Sequence, residues 1–80
     1  MMRAEEIVAR GKVLYEERLR RQVEPGNTGK ILVINVDTGD YEMDSDRLAA
    51  SDRAVKRFPG APLYAMKIGS ASLGRLRACA

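Results

Sequence analysis

The 80-residue sequence has no histidine and no tryptophan, and Cys79 is its only cysteine. A single cysteine cannot form an internal disulfide, and the chain lacks the histidines or further cysteines that usually bind zinc. Cys79 also lacks the histidine base that activates most thiol nucleophiles. We therefore expect no metal, no other cofactor and no disulfide.

Long apolar segments are lacking too. The longest apolar run falls within Ile31–Val36, which is far too short to span a bilayer. The N-terminal segment carries Glu5 and Glu6 where a secretory signal would begin its apolar run. We expect a protein without membrane contact that works in the cytoplasm of a bacterium.

The length of the chain allows one small domain, which we place at residues 1–80. A chain of this size buries only roughly 60–65% of its unfolded surface. Its stability is therefore marginal unless a disulfide, a metal or a second subunit adds to it. Because the sequence excludes the first two, its length predicts a homo-oligomer.

A β-hairpin is predicted near the middle of the chain. Its first strand is apolar on both faces, because alternation puts Leu32 and Ile34 on one face and Ile31 and Val33 on the other. The Asp-Thr-Gly at residues 37–39 suits a type I turn closed by a left-handed glycine. A second strand at residues 41–44 alternates apolar and acidic side chains. The first strand needs cover on both sides.

Two helices and a third strand are predicted around this hairpin. A second helix follows a capping acid at residues 44–46 and ends before Pro59, with Leu48, Val55 and Phe58 as its apolar ridge. A third strand follows at residues 63–68. The first helix spans residues 2–23, where an apolar stripe recurs at helical spacing: Ile7, Val8, Gly11, Leu14, Tyr15, Leu19 and Val23.

These elements predict an α+β fold with the order helix-strand-strand-helix-strand and a small three-stranded sheet. If both helices cover one face of the sheet, the other face of the first strand stays exposed and becomes an interface. Residues 70–80 form a short basic tail for which a turn, a frayed helix start and disorder all stay open. The residues predicted to mediate self-association are Ile31, Val33, Leu14, Tyr15 and Leu19.

The net charge of +3 conceals a separation of signs. Residues 37–52 hold six acids and one base, whereas residues 53–80 hold six bases and no acid. Such a separation can steer association with a partner. It also supports an alternative function, nucleic-acid binding, although few aromatic side chains are present to stack on bases. The contacts predicted for this alternative are Arg53, Lys56, Arg57, Lys67, Arg75 and Arg77.

The Asp-Thr-Gly at residues 37–39 also invites a catalytic interpretation, since it follows an apolar strand as in retroviral-type aspartic proteases. Those enzymes pair two copies so that two carboxylates share a proton. Here Asp40 follows, where that family usually has Ala or Ser, and its charge would crowd the shared-proton site. The acids of residues 37–46 also lack the spacing of an EF-hand loop. Asp-Thr-Gly is ordinary turn chemistry, so we predict a protein that is not an enzyme.

Four segments carry a resemblance to a group of short, uncharacterised bacterial proteins: Asp37–Asp44, Leu48–Arg53, Arg57–Ala61 and Tyr64–Gly69. The core of that group reads as a T-G-D-Y-E-x-D hairpin, a short helix ending in P-x-A and a strand ending in R-I-G. Lys67 stands where arginine is common, which keeps the charge. The group has no catalytic motif, and some members are encoded in small gene pairs or on mobile elements.

The resemblance implies a non-enzymatic accessory protein that binds the product of a neighbouring gene, in the manner of an antitoxin. Together with the self-association predicted from the hairpin, this is the leading functional hypothesis from the sequence. Nucleic-acid binding by the basic second half is the alternative.

Overall fold

The computed structural model describes residues 3–69 and the backbone of residues 72–75. The predicted α+β class and the predicted order of helices and strands are confirmed. Within the described residues, no helix is both long enough and apolar enough to cross a membrane. The elements are α1 (Ala4–Leu14), a π-helical segment (Tyr15–Leu19), α2 (Arg20–Val23), β1 (Ile31–Asn35), β2 (Tyr41–Asp44), α3 (Arg47–Arg57), β3 (Leu63–Lys67) and β4 (Ser72–Arg75).

The strands form one antiparallel sheet in the order β2-β1-β3-β4. Because β2 and β3 both pair with β1, they run parallel to each other on its two sides, and α3 connects them across it. The β1–β3 pairing continues where the Val36 N–H donates to the Pro62 carbonyl at 3.1 Å. The sequence did not predict β4. The remainder of the predicted tail, residues 70, 71 and 76–80, lies outside the described residues.

The two faces of the sheet are covered by different helices. The first three helical elements pack on the face that carries Leu32 and Ile34, whereas α3 packs on the face that carries Ile31 and Val33. Leu32, Val33 and Ile34 are all 0% exposed. The expectation that one face of the first strand stays exposed is therefore wrong, because one copy of the chain covers both.

The N-terminal helix keeps one face on the sheet over its whole length. Its buried residues, Gly11, Tyr15, Leu19 and Val23, are spaced four apart. In a regular α-helix each four-residue step turns about 400°, so the buried face would drift by about 40° per step. The π-helical segment widens the turn, since the Arg20 N–H donates to the Tyr15 carbonyl five residues earlier. This wider turn corrects the drift and returns Leu19 and Val23 to the sheet.

Local signals fix the ends of α3 and the hairpin turn as the sequence predicted. The Asp46 side chain caps α3 by accepting a hydrogen bond from the Leu48 N–H at 3.0 Å. Gly39 has φ +85°, the left-handed conformation that closes the hairpin turn. The Asn35 carbonyl accepts from the Gly39 N–H at 2.7 Å. These contacts fix the turn that precedes β2 and the residue at which α3 begins.

Candidate interaction surfaces

The residues predicted to mediate self-association do not form an exposed surface. Ile31, Val33, Tyr15 and Leu19 are each at most 7% exposed in the single chain. Leu14 is half-buried and lies beside the hairpin turn. This corrects the sequence prediction: these side chains stabilise the fold of one copy, because helices cover both faces of β1. These residues therefore offer no apolar surface to a second copy.

The most elaborate polar arrangement of the described residues lies along the outer edge of β2. The Arg53 guanidinium donates to the main-chain carbonyl of Met43 at 2.8 Å, and the Arg57 guanidinium donates to the carbonyl of Tyr41 at 3.2 Å. Residues four apart on a helix are separated by about 6 Å, and residues two apart on a strand by about 6.6 Å. The two arginines of α3 therefore match two successive outward carbonyls of β2.

The same guanidinium groups bind the acidic side chains of β2. Arg53 lies 3.2 Å from Glu42 and 3.1 Å from Asp44, and Arg57 lies 2.6 Å from Glu42. The backbone N–H of Asp46, and then the nearby Arg53, lower the pKa of Asp44 below its usual value. We call Arg53, Arg57, Glu42 and Asp44 together the arginine edge.

The arginine edge changes what β2 can do. An edge strand normally presents free main-chain groups on which another strand can pair. Here guanidinium groups donate hydrogen bonds to two of the outward carbonyls, and charged side chains surround them. The side of the sheet that ends in β2 is thus protected against pairing with another chain.

Among the described side chains, the residues predicted to contact nucleic acid do not form a free basic patch. Arg53 and Arg57 belong to the arginine edge, and Lys56 lies 3.0 Å from Asp52. Lys67 is exposed and has no ion pair with any described residue. Arg75 is described only by its backbone in β4, and Arg77 lies outside the described residues. Three of these six bases, Arg53, Lys56 and Arg57, thus pair with acids of the same chain.

Four acids of the hairpin and of the turn after it have structural partners: Asp40, Glu42, Asp44 and Asp46. The Asp40 carboxylate accepts a hydrogen bond from the Thr38 hydroxyl at 3.1 Å, and Asp46 caps α3. Glu42 and Asp44 bind arginines. Among the described residues, no group of three or more acidic, cysteine or histidine side chains is arranged to hold a metal ion. The hairpin turn, including its Asp-Thr-Gly, has an ordinary structural explanation.

One flank of α3 exposes large apolar side chains. Leu48 is 78% exposed and Val55 is 39% exposed, whereas Ala50 and Ala54 are fully buried. The predicted apolar ridge of this helix is therefore wrong for Leu48 and Val55, because the buried face is centred on the two alanines. Their four-residue spacing was the sequence signal for that face. We call Leu48 and Val55 the α3 flank.

The outward side of α1 is also partly apolar. Val13 is 53% exposed. Two shallow grooves of about 320 and about 470 Å³ adjoin at Ala9. The first is lined by Ala9, Arg10, Val13, Leu14 and Val36, and the second by Ala4, Glu5, Val8, Ala9 and Lys12. We call Ala4, Glu5, Val8, Ala9, Lys12 and Val13 the α1 face.

A third groove, of about 550 Å³, separates the π-helical segment from the hairpin. Its walls carry both signs of charge, with Arg18 and Arg57 opposite Asp40 and Glu42. Glu42 and Arg57 already bind each other at 2.6 Å. This groove is open and polar, and it offers no arrangement of a base and a nucleophile.

The α3 flank and the α1 face are therefore the surfaces whose composition suits binding to a protein. Comparisons of the chain with protein-family models, with curated proteins and with solved structures find no match.

Proposed function

We propose that this chain is a non-enzymatic accessory protein of the bacterial cytoplasm that binds a protein partner, in the manner of an antitoxin, and that it also self-associates. The observation that carries the proposal is the α3 flank. Leu48, at 78% exposed, is the most exposed large apolar side chain among the described residues, although its helix is firmly packed on the sheet.

The α3 flank has the layout of a helical binding surface. Leu48 and Val55 are seven residues apart, so they lie on the same side of α3 two turns from each other. Apolar anchors at this spacing are typical of helices that lie in a groove of a partner. The ion pair of Asp52 with Lys56 gives the surface a polar rim. Burying a leucine side chain contributes about 1.5–3 kcal/mol, enough to make Leu48 a main anchor.

A protein partner is favoured over a nucleic acid by the arginine edge. Binding to phosphates requires cations that are free to replace counterions. Arg53 and Arg57 instead bind Glu42, and Arg53 also binds Asp44. The exposed apolar side chains have no such use within the molecule.

The test is co-expression of the tagged full chain with the product of the adjacent gene, followed by affinity purification and measurement of Kd. The informative variant is Leu48→Glu, which places a charge at the proposed anchor without disturbing the core, since Leu48 is exposed. Gln22→Glu is the control, because it also adds a negative charge at an exposed position of a helix but lies on α2, outside the α3 flank and the α1 face.

We expect the adjacent gene product to co-purify with the unaltered chain and with Gln22→Glu, and to be lost with Leu48→Glu. Circular dichroism should show the same helix content in all three proteins. If the adjacent gene product does not co-purify with the unaltered chain, the proposed partner is wrong. If Leu48→Glu retains it equally, the α3 flank is not the binding surface.

A further inference from the structure

The α1 face is self-complementary, and we infer that it binds the α1 face of a second copy of this chain, with the two helices antiparallel. This inference rests on the self-association in the proposed function and says which surface mediates it. It replaces the buried residues that the sequence predicted.

The complementarity follows from the order of residues along α1. In an antiparallel pair with a two-fold axis between Val8 and Ala9, residue 5 of one copy lies beside residue 12 of the other. Glu5 then meets Lys12 twice, once on each side of the axis. The same symmetry pairs Val8 with Ala9, so a larger side chain meets a smaller one at the centre.

The charges at the two ends of the α1 face are free to make these contacts. Glu5 and Lys12 are exposed, and neither forms an ion pair with any described residue. They are seven residues apart, or about 10 Å along the helix, which is too far for them to bind each other. In the antiparallel dimer, Glu5 of each copy lies beside Lys12 of the other copy.

The position of α1 on the sheet directs the α1 face toward the β4 side. The flank of α1 that carries Leu14 lies beside Gly39 of the hairpin, so the flank with Val8 and Lys12 is turned toward the β4 side. α1 contacts both β3 and β4. Neighbouring strands are about 4.8 Å apart. With α1 above the space between β3 and β4, a two-fold axis just outside β4 lies about 5 Å from the axis of α1. The two α1 helices are then about 10 Å apart, which is a usual distance for packed helices.

The same two-fold axis would bring the β4 strands of the two copies side by side in antiparallel orientation. β4 is one of the two edges of the sheet, and the arginine edge protects the other one. Within the described residues no strand pairs with the outer edge of β4, and this edge lies on the same side of the molecule as the α1 face. This is why we assign the α1 face to a second copy rather than to an unrelated protein.

The test is analytical ultracentrifugation of the full chain from about 10 μM to about 1 mM, because an interface built mainly on one helix pair is at the small, weak end of the usual range. The variants are Glu5→Lys, Lys12→Glu and the double variant with both changes. Glu6→Lys is the matched control, since it makes the same charge change in the same helical turn on the other flank of α1.

We expect each single change to raise the dimer Kd at least about tenfold, because it puts two like-charge pairs in the interface. The double variant should recover the original Kd, and Glu6→Lys should keep it. Mixing the two single variants should give a heterodimer, since a face with lysine at both positions then meets a face with glutamate at both.

Two results separate the possible failures. A chain that stays monomeric at about 1 mM would overturn both the self-association and its location. A dimer that tolerates Glu5→Lys would overturn only the α1 face. Neither result bears on the partner test at the α3 flank, which uses Leu48→Glu and a different readout.

Discussion

Gly11 lies directly against the ring of Tyr64. A Cβ atom added at Gly11 would overlap Cγ and Cδ2 of that ring and lie 2.7 Å from the Tyr64 Cβ. Tyr64 is 1% exposed and stands in β3, beside the central strand. The missing side chain of Gly11 thus sets the distance between α1 and the sheet.

We predict that Gly11→Ala lowers the free energy of unfolding by about 1–3 kcal/mol, as overpacking of a core does. In an exposed helix the same change would raise stability by about 1 kcal/mol. Urea unfolding followed by circular dichroism measures the difference. In a double-mutant cycle with Tyr64→Ala, the cost of Gly11→Ala should shrink, because this change removes the Cγ and Cδ2 atoms that the new Cβ would overlap. A Gly11→Ala protein as stable as the original would show that α1 can move away from Tyr64.

The π-helical segment supports a prediction about the deletion of one residue from the N-terminal helix. Deleting Glu17, an exposed residue of that segment, should convert the N-terminal helix to a regular α-helix and leave Leu19 and Val23 facing the sheet. We therefore expect the deletion to keep the fold and to cost less than about 1 kcal/mol. Deleting Lys56 from α3 is the control, because that regular helix has no wide turn to absorb the change. Thermal unfolding of both proteins tests this, and unfolding caused by the Glu17 deletion would contradict it.

The sequence predicted those elements that local chemistry determines. The hairpin follows from strand alternation around a turn with a left-handed Gly39, and α3 follows from the Asp46 cap and the stop at residues 59–60. The N-terminal helix follows from its apolar stripe, although a periodicity argument does not distinguish a π-helical turn from a regular one. The four-residue spacing of Gly11, Tyr15 and the later buried residues was the available sign.

The parts that the sequence did not predict depend on contacts between distant segments. Alternation showed that β1 has two apolar faces, but it could not tell whether the helices lie on one side of the sheet or on both. The deciding feature is the pair Ala50 and Ala54, whose small side chains let α3 cover Val33. The arginine edge was missed for a similar reason: Arg57 is fifteen residues from Glu42, so sequence spacing gives no sign of their contact.

The arginine edge supports a prediction about association. Replacing both Arg53 and Arg57 by alanine should lower the unfolding free energy only slightly, by about 1 kcal/mol, since the two arginine side chains are about half exposed although Glu42 is not. The larger effect should be new association, because the outward carbonyls of β2 become free. Light scattering over a range of concentrations, compared with the Lys56→Ala protein, measures it. Unchanged association in the double variant would show that the arginines do not protect the edge.

The ion pairs of Arg53 and Arg57 support a prediction about nucleic-acid binding. We expect the unaltered chain to show no salt-sensitive binding to duplex or single-stranded DNA or RNA in fluorescence anisotropy, because carboxylates already bind Arg53 and Arg57. Replacing Glu42 by Gln and Asp44 by Asn should free the arginines and produce weak binding that decreases as salt increases. Tight, steeply salt-dependent binding by the unaltered chain would instead restore the nucleic-acid function suggested by the charge distribution.

Tyr15 gives a prediction about alkaline pH. Burial, and then the hydrogen bond that its hydroxyl donates to Glu24 at 2.9 Å, raise the pKa of Tyr15 to about 12. In the unfolded chain a tyrosine has a pKa of about 10. The folded state therefore holds this proton more tightly, so the associated stability is fully present below about pH 10 and is lost as the pH rises toward 12.

The measurement is urea unfolding of the original protein and of Tyr15→Phe at several pH values from 8 to about 12. The advantage of the original protein over Tyr15→Phe should be constant up to about pH 10 and then decrease, by at most about 2–3 kcal/mol for a two-unit shift. Glu24→Gln should make the decrease smaller, because a neutral amide no longer disfavours the phenolate. An identical pH dependence of the original protein and Tyr15→Phe would show that the Tyr15 hydroxyl is accessible to solvent in the folded chain.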